Sequence, residues 1–138
     1  MNERRGGMRH RRPRLTRSAD FDRVYRRGRS AATRSFVLYA FPSGERDDDA
    51  HEESDTTVRL GVSVGRRVGG AVERNRVKRL LREAFWALDA QLPEGHDFVI
   101  VARAGAAEAA EQSGVDGVRD ELAELLARLE APAAERSA

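Results

Sequence analysis

Arg74, Lys78 and Arg82 stand four residues apart, with Asn75 and Arg79 between them. Wound on a helix at about 100° per residue, these five residues fall within an arc of roughly 140°. Val77, Leu80, Leu81, Ala84, Phe85 and Leu88 take the neighbouring arc, and Arg76 and Glu83 share the remaining side, near enough to pair. One face is therefore built to bury, and the next presents four cations and an amide. An ordinary solvated helix surface mixes signs and places opposite charges at i, i+4. Here like charges hold that spacing and repel one another by a few tenths of a kcal/mol per pair. An anion lying across them reverses that effect, and phosphate suits the planar guanidinium fork.

The charge map points the same way. The chain has 138 residues and a formal net charge of +2, from 25 Lys+Arg and 23 Asp+Glu. That near-neutral total hides segregated blocks: +9 over residues 1–34, −6 over 45–55, +7 over 59–82 and −8 over 83–138. Two basic blocks on a small chain suit a polyanionic partner. All the basic residues but Lys78 are Arg, a bias that genomic base composition also produces.

Cysteine is absent, which excludes disulfide frameworks, thiolate zinc sites and cysteine nucleophiles. His10, His51 and His96 are scattered, and no pair of carboxylates sits at helical spacing in an expected pocket. The run D-D-D-A-H-E-E at 47–53 offers hard oxygen ligands and an imidazole, the best site for a protein-only nuclease, but it has no apolar anchors to make it rigid. The basic N-terminus is not followed by an apolar run. The longest uncharged stretch, Ser35 to Gly44, is half the ~20 residues that span a bilayer. The expectation is a soluble, cytoplasmic protein.

Several elements must position these residues. Residues 1–14 mix Arg with Gly and Pro and read as a flexible basic arm. A short helix opens at Ser18–Asp20 and stops at Gly28, with Phe21, Val24 and Tyr25 on one side and Arg23, Arg26 and Arg27 on the other. Residues 35–41 (SFVLYAF) read as a strand with Phe36 and Tyr39 on opposite faces, and a further short strand fits near 29–34. Residues 43–56 form an acidic loop. Residues 57–64 alternate, Val58, Leu60, Val62 and Val64 facing one way and Arg59, Gly61 and Ser63 the other. Gly61 and Ser63 would leave space there for a backbone to approach, although a glycine without that role fits equally well.

A Gly-rich turn at 65–70 leads into a helix over roughly 71–91. Residues 97–103 (DFVIVAR) are apolar on both faces and read as a central strand. Gly114 and Gly117 interrupt the stretch 106–130, whose better helix is 118–130, and a disordered tail fills 131–138. The order αβββαβα makes one α+β domain over 15–130, with the acidic loop inserted.

The run R-N-R-V-K-R-L-L-R-E-A-F at 74–85 closely resembles the signature of the protein subunit of bacterial ribonuclease P. L-G-V-S-V-G-R-R-V-G-G-A-V at 60–72, D-F-D-R-V-Y-R-R-G at 20–28, F-V-L-Y at 36–39 and D-F-V-I-V-A-R at 97–103 are similar to the same family in the same order. The resemblance covers about residues 15–130. It departs in the long acidic run 45–55 and the basic arm 1–14.

The resemblance implies a four-stranded sheet with a left-handed βαβ crossover at the signature helix, against the usual right-handed rule. It implies contact with a catalytic RNA subunit, 1:1, through Arg66, Arg67, Arg74, Asn75, Arg76, Lys78, Arg79 and Arg82. It implies a cleft that holds the single-stranded 5′ leader of precursor tRNA, lined by Phe21, Tyr25, Phe36 and Tyr39. Core packing competes as a reading for Phe21 and is the better one for Phe36. The implied activity is endonucleolytic removal of that leader. The RNA subunit and its magnesium carry out the chemistry, while the chain itself holds no cofactor and needs no membrane or obligate protein partner. A generic RNA-binding or ribosome-associated module of similar fold is the alternative.

Overall fold

The computed structural model describes residues 13–42 and 57–130. Its elements are α1 (Ser18–Arg27), β1 (Arg29–Ala32), β2 (Phe36–Pro42), β3 (Arg59–Val64), α2 (Ala71–Trp86), a 3₁₀ turn (Asp89–Gln91), β4 (His96–Ala102) and α3 (Ala106–Glu130). The αβββαβα order matches the sequence reading. The acidic loop 43–56, the arm up to residue 12 and the tail 131–138 lie outside the described residues.

The strands form one mixed sheet in the order β1-β2-β4-β3. β4 is central because it is apolar on both faces, and Phe98, Val99 and Ile100 are fully buried. It pairs antiparallel with β2 and parallel with β3. A parallel pair needs a crossover of a dozen or more residues, and α2 supplies it.

Alternation sorts the side chains onto two unlike faces. Phe36, Leu38 and Ala40 of β2, Phe98 and Ile100 of β4, and Leu60 and Val64 of β3 point to one side. There they pack on Val77, Leu81 and Phe85 of α2 and on Leu122, Leu125 and Leu129 of α3. Each Val, Leu, Ile or Phe side chain among them, fully buried, contributes roughly 1.5–3 kcal/mol, so this face carries most of the hydrophobic stabilisation. The other face has a smaller cluster of Leu15, Val24, Phe41 and Val99, over which α1 packs among the described residues. The rest of that face is left as a groove.

Three details differ from the sequence reading. The signature helix ends at Trp86 rather than near 91, and Trp86 is buried edge-on against Phe85, which widens the apolar face over the last turn. α3 runs from residue 106 with a break at Gly114, whose φ of 67° is open to glycine at little cost. Pro13 and Leu15 are hydrogen-bonded to Leu60, so the arm's last residues belong to the sheet edge.

Candidate nucleic-acid interface

α1 is fixed over the open face by charges that lie far apart in the chain. Asp20, almost fully buried, accepts a hydrogen bond from Arg23 at 2.9 Å and lies 3.7 Å from Arg59 on β3. Arg59 in turn donates to both carboxylate oxygens of buried Asp97 on β4, at 3.0 and 2.9 Å. These contacts tie the helix to two strands. Arg27 adds a cation–π contact, 5.5 Å from the centre of the Phe41 ring.

Next to Asp20 in the helix, the Phe21 ring lies on Gly61, where an added Cβ would sit 2.6 Å from its Cζ. The space over Gly61, one reading of which is room for an approaching backbone, is filled by Phe21, which becomes the groove's half-buried wall. Tyr25 meets Tyr39 edge-on, with centroids 5.0 Å apart at 69°, and stays 37% exposed. Its hydroxyl is hydrogen-bonded to Ser63, and partial burial raises its pKa above the ordinary tyrosine value. Two aromatic rings are therefore held together at a wet edge.

Beyond Ser63 the groove opens into a cavity of about 750 Å³ whose lining includes Arg34, Arg66, Arg67, Arg103, Ser63 and Val101. The antiparallel pairing of Phe36 with Ala102 brings Arg34 and Arg103 to the same end of the sheet. Arg103 is oriented there by a hydrogen bond from Nη1 to the Thr33 carbonyl at 2.9 Å. Sequence reading missed both arginines. The signal was their position next to the ends of two strands expected to pair. Arg66 and Arg67, grouped by resemblance with the signature helix, line this cavity.

Phe36 is a correction. It is fully buried, on the sheet face that packs against α2 and α3, and cannot reach a ligand in the groove. Strand alternation separates it from Tyr39.

The second surface is the cationic side of α2. Asn75, Arg76 and Arg79 are exposed, while Arg74, Lys78 and Arg82 are half-buried along the helix flank. Among the described residues none of these cations forms an ion pair, and Arg76 and Glu83 do not meet. The Arg74 Nε is buried with no hydrogen-bond partner. Burial lowers the Arg82 pKa, and the charge of Arg14 pushes it the same way. Among the described residues this surface is short of anions.

The described residues contain no cluster of His, Cys, Asp or Glu suited to a metal ion, and the run 47–53 lies outside them. No helix among them is long and apolar enough to cross a membrane.

A family model described as Ribonuclease P matches residues 9–130. The chain is 44% identical over 108 residues to the ribonuclease P protein component of Brevibacillus brevis, covering 75% of this chain and 79% of that one. It is 40% identical over 106 residues to that of Exiguobacterium sibiricum, covering 77% and 84%. Among solved structures, the RNase P protein from Thermotoga maritima superposes with a TM-score of 0.70 at 32% identity, over 87% of this chain and all of that one. The Staphylococcus aureus RNase P protein gives 0.67 at 30% identity, over 85% and 94%.

Proposed function

This chain belongs to the ribonuclease P protein family, and from that premise we propose how its two surfaces divide the work of the holoenzyme. It is the protein component of the ribonucleoprotein endoribonuclease that matures the 5′ end of tRNA, and it works with the ribonuclease P RNA. The groove on the α1 side takes the single-stranded leader of precursor tRNA. The cationic flank of α2 takes the RNA subunit, one chain to one RNA.

The observation that carries the leader assignment is the continuity from Tyr25 and Tyr39, through Ser63, into the arginine-lined cavity. Bases stack on exposed aromatic faces at about 1–3 kcal/mol each, while cations follow the phosphates. A mature tRNA has no leader, so that binding energy goes to the precursor alone and sets the preference between them. On α2, Arg74, Lys78 and Arg82 advance about 6 Å per step along one line, which suits successive contacts to a phosphate backbone. Magnesium and the hydrolytic chemistry are assigned to the RNA, in the cytoplasm.

Reconstitution tests this division. At low magnesium, adding the chain to its cognate RNA subunit should raise leader removal and tighten precursor over mature tRNA. No gain would favour a generic RNA-binding module. Cleavage by the chain alone, with magnesium, would restore the protein-only nuclease.

A further inference from the structure

The residues before α1 are stitched to the outer edge of β3: the Leu15 N–H donates to the Leu60 carbonyl at 3.0 Å, and the Leu60 N–H donates to the Pro13 carbonyl at 3.2 Å. This parallel bridge sets Arg14 opposite Leu60. Paired residues on adjacent strands project to the same side of a sheet. Leu60 projects into the core under α2, and Leu15, one residue on from Arg14, projects into the opposite cluster beneath α1. The exposed Arg14 side chain therefore leaves the edge of β3 on the flank where α2 packs.

We infer that Arg14 and Arg82, from separate elements, form a two-pronged clamp on one backbone phosphate of the RNA subunit, extending the Arg74–Lys78–Arg82 line past the helix to the edge of the sheet. The proposal rests on the reading of α2 as the RNA-subunit surface. Among the described residues neither arginine has an ion-pair partner. The Arg14 charge reaches Arg82, whose guanidinium is already partly desolvated, so the two cations repel across a gap that one anion would fill. Guanidinium groups suit this use because each presents a planar pair of donors to phosphate oxygens. The clamp also sets where the remaining basic arm begins, alongside the RNA-binding flank instead of the leader groove.

A double-mutant cycle tests it, with full-length wild type, Arg14→Ala, Arg82→Ala and the double variant titrated against the cognate RNA subunit over a salt series. Arg14 is held through the backbone of its neighbours, so its truncation leaves the edge pairing intact, which thermal melting checks. Arg14→Ala should weaken binding roughly tenfold while Arg82 still holds the shared phosphate, so the salt slope falls by the full value of one contact, about 0.7–0.9, only in the double variant. Arg14→Lys should keep the wild-type slope. In the double variant the two losses should fall short of adding, because one phosphate serves both side chains. Wild-type binding by Arg14→Ala would overturn the clamp, as would strictly additive losses. A loss confined to precursor tRNA binding by the assembled holoenzyme would also overturn it, by assigning Arg14 to substrate. If the wild-type chain did not bind the subunit, the reading of α2 would fail first, and the clamp with it.

Discussion

Arg59 grips Asp97 fork to fork, Nε to Oδ1 at 3.0 Å and Nη2 to Oδ2 at 2.9 Å, across the parallel pair β3 and β4. Asp97 is fully buried, and the same guanidinium reaches towards Asp20 of α1. The helix that carries Phe21 and Tyr25 is thus located by an ionic contact with the strands it crosses. Asp97→Ala would leave the Arg59 charge partly buried and without its bidentate partner. Removing one member of a buried pair costs about 3–5 kcal/mol, and the partial exposure of Arg59 places this case near the low end, about 3 kcal/mol. Urea unfolding measures that loss. Precursor preference should fall further than binding of the RNA subunit, because α1 and not α2 loses its anchor. Equal losses would show that the pair stabilises the domain without positioning the groove.

Gly61 tests the groove from below. A methyl group there would sit 2.6 Å from the tip of the Phe21 ring and 3.1 Å from the Leu15 Cβ. The ring must swing away or α1 must lift. Gly61→Ala should cost about 1–3 kcal/mol of stability, as overpacking does. It should also reduce the affinity for precursor tRNA while leaving mature tRNA unchanged. Equilibrium binding of the two tRNAs to the reconstituted holoenzyme separates the effects. An unaltered preference would mean that the Phe21 wall does not touch the leader.

Tyr25 offers a cleaner separation. Tyr25→Ala removes a stacking face worth about 1–3 kcal/mol, so precursor preference should drop about 5- to 150-fold with subunit assembly nearly intact. Tyr25→Phe keeps the ring and loses only the hydrogen bond to Ser63, and should retain most of the preference. The raised pKa adds a pH signature. Folding favours the neutral phenol, so this contribution to stability is fully present below the ordinary value near 10 and is lost as pH rises through the higher native value. Tyr25→Phe should flatten that alkaline loss, as thermal melts from pH 9 to 11 would show. Equal weakening of both tRNA forms by Tyr25→Ala would remove the stacking assignment.

The cavity arginines should act through charge. Arg34→Ala and Arg103→Ala together should lower the salt slope of precursor binding by about one to two units, at roughly 0.7 per contact with a single strand. Binding of the RNA subunit should keep its own slope. If the subunit slope falls instead, the cavity faces the RNA subunit and the leader path ends at Ser63.

These residues mark how far the sequence could be read. The alternation of Val58 to Val64 placed both faces of β3 correctly, because a strand has only two sides. The arcs of α2 were legible for the same reason, except at its last turn, where the buried Trp86 lies over the boundary. What was not legible depends on partners distant in the chain. Arg59 and Asp97 are 38 residues apart, and only the strand order places them side by side. Arg34 and Arg103 needed the register of β2 on β4. Phe36 entered the leader set by resemblance, and the face it occupies removed it.

The last prediction concerns the line of cations along α2. Arg74, Lys78 and Arg82 flank the buried Val77, Leu81 and Phe85 without belonging to the core cluster. Replacing all three with Ala should therefore leave the domain folded, and ends the mutual repulsion of like charges at i, i+4. Stability should hold or rise slightly, while affinity for the RNA subunit falls and its salt slope drops by about two to three units. Opposite signs for folding and binding are what a surface kept short of anions for the sake of a partner must give. A triple variant that lost stability yet kept the wild-type salt slope would identify these side chains as packing residues, and the phosphate role would have to be given up.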